Sequence, residues 1–318
     1  MKWNVAYRDE IADLFAEAAE HAAMLPAPLG ELGQALLIKA NPLASGESSN
    51  YITFLLPFWM QETIRCPDRL CRDLAVGNVF AMVHYFLLDD VMDAGAGTNR
   101  LHVREALALG QLFQCLFQQY YGRHYTMDSP LWDHYRAYMA AWASAVSREG
   151  ERPADPRNAA QLAAKSALVK LCAAGILLHA GKEAGLREVE EAVDLVLATQ
   201  QLVDDWADWR EDLAENERCN AFLTLVREQL QLPPEEPLDE RKVKQAVYRA
   251  YALDRLAEIA AQYGERLKRL PLVPAPLLLF QTQMAGHLRQ DAEDAAETTR
   301  KLALEGGLFY SMSETVKK

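Results

Sequence analysis

Along most of the 318-residue chain, apolar positions recur at three- and four-residue spacing inside stretches of roughly 15 to 30 residues rich in Ala, Leu, Glu, Gln and Arg. Pro or Gly breaks end the stretches at Leu25 to Gly30, near Asn41 to Ser49, and at Ala94 to Thr98, Asp128 to Pro130, Glu149 to Pro156, Leu232 to Leu238 and Leu270 to Pro276. This pattern predicts an all-α fold of about ten helices. No segment alternates apolar and polar residues with enough β-branched enrichment to predict a sheet. Internal repeats and low-complexity tracts are absent, and Pro233 to Pro237 reads as an exposed loop.

Two of the predicted helices stand apart, one running roughly from Asp68 to Asp93 and one from about Arg187 to Leu213. Each is strongly apolar in its middle, at Val76 to Leu88 and Ala192 to Val203, as a buried helix of a large bundle is. Each then turns densely acidic toward its C-terminus, where carboxylates oppose the macrodipole at a cost of roughly 0.3–1 kcal/mol apiece.

Composition narrows the picture. A chain of this length that is 50% hydrophobic can bury one large core, so residues 1–318 read as a single domain. The net charge of −12 disfavours nucleic-acid and anionic-membrane partners. Cys66, Cys71, Cys115, Cys172 and Cys219 are odd in number and lack CxxC or paired-His spacing, which points to a reduced, cytoplasmic protein without a zinc site. The N-terminal residues have no signal-peptide h-region, and no later run reads as a membrane span.

The acidic ends carry candidate chemistry. Asp89 and Asp93 lie four residues apart, about 40° around a helix axis, so their carboxylates share a face. Asp204, Asp208 and Asp212 extend the same spacing over two turns, whereas Asp90 and Asp205 sit about 100° off these stripes as supporting or water-mediated groups. Like charges at this spacing destabilise a helix by roughly 0.2–0.5 kcal/mol per pair unless a cation intervenes. Oxygen-only donors select Mg²⁺, with Mn²⁺ as the other option, and Mg²⁺ characteristically takes one or two carboxylates plus substrate phosphates. A single such cluster is more simply a solvated helix end; two, each behind a long apolar helix, constitute the signal.

Phe86-Leu87-Leu88-Asp89-Asp90-Val91-Met92-Asp93 resembles the first aspartate-rich motif of the class I isoprenoid synthase superfamily, which includes trans-prenyl diphosphate synthases and class I terpene synthases. Gln201-Leu202-Val203-Asp204-Asp205-Trp206-Ala207-Asp208 resembles the second motif, and Ala164-Lys165-Ser166-Ala167-Leu168 the Lys-Thr segment on a kinked helix between them. The resemblance spans roughly residues 75 to 225. It implies a helical bundle around a deep apolar cavity, with both motifs facing across its mouth around three Mg²⁺ ions, and a homodimer. It makes Asp89, Asp93, Asp204 and Asp208 the expected ligands, with Asp90 and Asp205 beside them. Asp212 joins this set because Asp204, Asp208 and Asp212 reproduce the periodicity of the terpene-synthase Asn-x3-Ser/Thr-x3-Glu triad. Asn220, Thr224 and Glu228 offer a rival placement of that triad.

Ionising an allylic diphosphate requires stabilising the leaving diphosphate more strongly as it departs, which Mg²⁺ and preorganised cations supply. Lys165 is the first candidate donor, with Arg210 and Arg289 behind it. Phe58, Phe80, Tyr85, Phe86 and Trp206 are candidates to line the cavity and steady a carbocation. Each also fits a plain core position, as does His84, a candidate proton acceptor.

Chain-elongating members bind a second diphosphate through a Gly-Lys-x-x-Arg-like segment and an Arg-Arg-Gly after the first motif. Here that motif is followed by Ala94-Gly95-Ala96-Gly97-Thr98-Asn99-Arg100, and the N-terminal region offers only isolated Lys39, Arg65, Arg69 and Arg72. The expectation is therefore a terpene synthase acting on one prenyl diphosphate by cyclisation or elimination. The alternatives are a chain-elongating prenyltransferase and a non-catalytic helical partner protein.

Overall fold

The computed structural model describes residues 2–46, 50–93, 100–215, 217–233 and 235–315; of Arg100, Glu217 and 302–315 only the backbone is described. Among the described residues the chain is helical without a strand. In chain order the helices are α1 (Trp3–Ala6), α2 (Arg8–Ala23), α3 (Leu29–Ala40), α4 (Pro42–Ser45), α5 (Tyr51–Thr63), α6 (Asp68–Met92), α7 (Arg100–Gly122), α8 (Leu131–Ser147), α9 (Ala159–Ala163), α10 (Lys170–His179), α11 (Leu186–Ala207), α12 (Trp209–Glu215), α13 (Ala221–Gln229), α14 (Glu240–Arg249), α15 (Ala252–Leu267) and α16 (Ala275–Thr315). They outnumber the ten expected because short turns such as α1, α4 and α9 carry too few residues to show a period. The predicted break at 94–98 lies outside the described residues.

The sequence reads as one domain, and residue contacts divide it into two compact units. The first comprises Met1–Met139 and Leu168–Glu190, the second Ala140–Ala167 and Glu191–Lys318.

In the first unit α6 is the central helix. Its middle, from Leu74 to Phe80, is buried on all sides, and it packs along α7, then α5, α2 and α10. Gly77 permits the closest approach, since a β-carbon there would meet the Tyr121 ring at 3.0 Å and Tyr120 Cβ at 3.3 Å. Asn78, buried beside it, donates to the Thr53 carbonyl of α5 at 2.7 Å and accepts from the Tyr121 hydroxyl of α7 at 2.7 Å. An apolar helix is thereby pinned to two neighbours by one satisfied amide.

In the second unit α15 and α16 form an antiparallel pair, and α13 packs on α14 and α15. Buried Gln281 of α16 donates to the Ala260 carbonyl of α15 at 2.8 Å and to Thr199 of α11 at 3.2 Å. By length and hydropathy alone Asp68–Met92 and Ala159–His179 are apolar enough to cross a membrane, a feature that the sequence reading did not register; more than half of each apolar window is buried within the fold.

Candidate functional site

The first acidic cluster closes α6. Asp89 and Asp90 are exposed on the last turn, and Asp93 is the C-cap, its amide bonded to the Asp89 carbonyl at 2.9 Å. A cleft of about 420 Å³ opens beside this end, with Asp89, Asp90 and the half-exposed ring of Phe86 on the α6 side. Lys39 of α3, with Ser45 and Asn50, also lines it. The structure thus brings Asp90 to the cleft alongside Asp89 and leaves Asp93 outside its lining.

The predicted cavity aromatics are dispersed. Phe80 is fully buried between Phe113, Tyr120 and His21. Tyr85 donates to the Met139 sulfur at 2.7 Å, and burial raises its phenol well above the ordinary value. Phe58 lines a separate cleft with Arg69, Arg72, Asp73 and Arg123 at the N-terminal end of α6. His84 is buried against Gly110, its Nδ1 without a hydrogen-bond partner, and burial lowers its pKa. Arg69, Arg72 and Arg123 come together around Asp73 and Glu17, 16 residues or about 24 Å of helix from Asp89.

In the second unit the predicted continuous helix from Arg187 to Leu213 is interrupted. α11 stops at Ala207, and Asp208 is a bend before α12. The Asp208 amide still bonds the Asp204 carbonyl at 2.9 Å and the Asp212 amide the Asp208 carbonyl at 3.1 Å, but the Glu211 amide also reaches Asp208 at 2.9 Å, a tightened three-residue turn. Five acids within nine residues weaken the helical ladder, and bonds from outside hold the chain around the bend. Buried Asn220, the N-cap of α13, supplies them: its amide donates to the Asp205 carbonyl and to Asp212 Oδ2, both at 2.7 Å, while its oxygen accepts from the Leu223 amide at 2.8 Å.

Neighbouring carboxylates therefore differ in role. Asp205 is buried, accepting from Gln201 at 2.7 Å and from the Ala221 amide at 2.6 Å, and burial pushes its carboxyl up to about 7. Asp204 is pushed up to about 6, by burial first and then by the charge of Asp208 one turn on. Asp204 and exposed Asp208 thus form an oxygen pair whose mutual repulsion a divalent cation relieves. Among the described residues no three His, Cys, Asp or Glu side chains converge as a metal cage. Two carboxylates fit Mg²⁺ completed by phosphate and water, and do not fit an all-protein site.

The rival triad is otherwise engaged. Asn220 is the cap just described, Thr224 donates to the Asn220 carbonyl at 3.2 Å, and Glu228 makes a two-point pair with Arg157 at 2.8 and 3.3 Å.

Lys165 lies on a 3-10 segment, Ala164–Val169, that kinks at Ser166. It pairs with Glu149 and lines a cleft of about 380 Å³ with Arg148, Arg152, Arg218 and Gln201. Sequence reading missed these arginines, which sit on a loop around Gly150 and before α13 without any motif. Gln201 connects this cleft to the acidic end of α11 through its bond to Asp205. Of the other candidates, Arg210 stacks on Trp209 and pairs with Glu240 at 3.5 Å, and Arg289 pairs with Glu293 one turn along α16. Trp206 donates to Asp291 at 2.9 Å and packs edge-on against Phe222.

No protein-family model matches the chain, and no curated protein is significantly similar to it.

Proposed function

We propose that the chain is a Mg²⁺-dependent class I terpene synthase that ionises a single prenyl diphosphate and releases diphosphate after cyclisation or elimination. One observation carries the reading: within the second unit, the Asp204–Asp208 pair follows by one turn Gln201, which lines a cleft shared by Lys165, Arg148, Arg152 and Arg218. A cation-seeking carboxylate pair beside a basic cleft is what a metal-bound diphosphate requires. When bound, Mg²⁺ supplies charge to the departing oxygen.

This chain's own residues do the rest. Lys165 and the three arginines bind and orient diphosphate oxygens, Glu149 keeps the lysine ammonium positioned until they arrive, and Asp205 and Asn220 fix the backbone on which Asp204 and Asp212 stand. Asp89 and Asp90 offer the corresponding oxygens at the first cluster.

A chain-elongating prenyltransferase is the second reading, favoured by Lys39, which lines the same cleft as Asp89 and Asp90. Against it, Arg69 and Arg72 gather around Asp73 and Glu17 at the far end of α6. Turnover of an allylic diphosphate with and without isopentenyl diphosphate separates the two: a hydrocarbon or alcohol product without it supports the synthase, and a longer prenyl diphosphate with it supports elongation.

A further inference from the structure

The loop joining α5 to α6 brings two cysteines together that the sequence leaves five residues apart. Cys66 Sγ lies 3.1 Å from Cys71 Sγ, Cys66 half-buried in the loop and Cys71 fully buried in the first turns of α6. The backbone on both sides is already held. Gln61 donates to the Cys66 carbonyl at 3.2 Å and to Asp68 at 2.6 Å, and the Cys71 amide bonds the Pro67 carbonyl at 3.3 Å. Closing the sulfurs to the disulfide length of about 2.05 Å needs about 1 Å of side-chain motion. The other three thiols have no such partner: Cys115 is exposed, Cys172 is buried and bonds the Val169 carbonyl at 3.3 Å, and Cys219 lies in the second unit.

We propose that Cys66 and Cys71 form a reversible dithiol–disulfide site, with Cys66 as the attacking sulfur, Cys71 as the resolving sulfur, and a low-molecular-weight disulfide such as glutathione disulfide as oxidant. The division of roles follows from burial, since only Cys66 can be reached by an oxidant of that size. A hydrogen bond from Cys71 also draws the Cys66 thiol below its ordinary value, and that same bond, with burial behind it, raises the Cys71 thiol and keeps it protonated until the bond to Cys66 is made.

The exchange balances in two steps. Cys66 thiolate attacks one sulfur of glutathione disulfide and expels glutathione thiolate, leaving a mixed disulfide. Cys71 sulfur then attacks the Cys66 sulfur and expels the second glutathione. Two protein thiols are oxidised to one disulfide, one glutathione disulfide is reduced to two thiols, and the two protein protons pass to the departing thiolates. The ring closed is short, so the bond constrains little chain and is readily reversed.

The test is a peptide map of the full chain after native incubation with excess glutathione disulfide and alkylation of remaining thiols. Trypsin cuts at Arg65, Arg69 and Arg72, so the two cysteines fall in separate peptides, Cys66–Arg69 and Leu70–Arg72. The site predicts that these appear as one disulfide-linked species, lost on reduction with dithiothreitol, while exposed Cys115 carries glutathione as a stable adduct. Alkylatable thiols at the pair fall from two to none. In Cys71→Ser, Cys66 retains the glutathione adduct; in Cys66→Ser, Cys71 stays a free thiol. If in the unmutated chain Cys66 holds a stable glutathione adduct with Cys71 free, or both stay unmodified while Cys115 reacts fully, the proposal is overturned. The map of the unmutated chain decides the question even if Cys71→Ser does not fold.

Discussion

Asp204 and Asp205 are adjacent, and the structure assigns them opposite consequences on substitution. Asp205→Ala leaves the buried Ala221 amide and the part-buried Gln201 side chain without their acceptor, so the metal-free protein should lose about 1–3 kcal/mol in a urea denaturation series. Asp204→Ala removes a repelling charge and should leave metal-free stability unchanged or slightly higher while abolishing Mg²⁺-dependent turnover. The Asp204 carboxyl is raised, to about 6, so the folded state holds its proton more tightly than the unfolded chain. Its contribution is favourable at low pH and is lost as pH rises from about 4 through about 6. Mg²⁺ should accordingly raise the melting temperature more at about pH 7.5 than at about pH 5; an equal shift at both would remove Asp204 from the metal site. His84 carries the opposite sign. Its depressed pKa means that the unfolded chain binds the proton first, so stability falls as pH drops below about 6.5, and the fall should be smaller in His84→Gln. The i, i+4 spacing made the Asp204 and Asp208 pair legible in the sequence. Spacing also set Asp205 aside from the stripe, but it took Asn220 and Ala221, from a different helix, to show why Asp205 is buried.

At the scale of elements, α6 was readable to within one residue because its apolar run, Pro67 and acidic end agree with one another. α11 was not, since the ladder fails at Asp208 for a reason outside the helix: Asn220 of the α13 cap takes the Asp205 carbonyl and the Asp212 carboxylate together. An Asn before an apolar helical run is a readable N-cap signal, and its second partner is not. The dithiol at the start of α6 escaped for the same reason, because five-residue spacing has no meaning until the loop folds. The α6–α7 contact yields a direct check: Gly77→Ala places a methyl at 3.0 Å from the Tyr121 ring and should cost about 1–3 kcal/mol in thermal or urea unfolding. On the kinked 3-10 segment, Lys165→Ala removes one charged donor, worth about 1.5–3 kcal/mol, so calorimetry should find inorganic diphosphate with Mg²⁺ bound roughly 10- to 150-fold more weakly.

For the whole molecule, helical character and the breaks near residues 25–30, 128–130, 149–156, 232–238 and 270–276 came directly from periodicity and from Pro and Gly. Its division into two compact units did not, because α8, α11 and the 3-10 segment after α9 carry the chain across the division without any break in composition. The central claim is the chemistry, and one measurement bears on it most directly: diphosphate release with product identification, using the full chain, Mg²⁺ and single prenyl diphosphates of ten to twenty-five carbons, beside Asp89→Ala and Asp204→Ala. The account predicts Mg²⁺-dependent release of diphosphate with a hydrocarbon or alcohol product from at least one substrate, and loss of that release by at least about 100-fold in either variant. No diphosphate release from any of these substrates, or release that survives both substitutions, would contradict it.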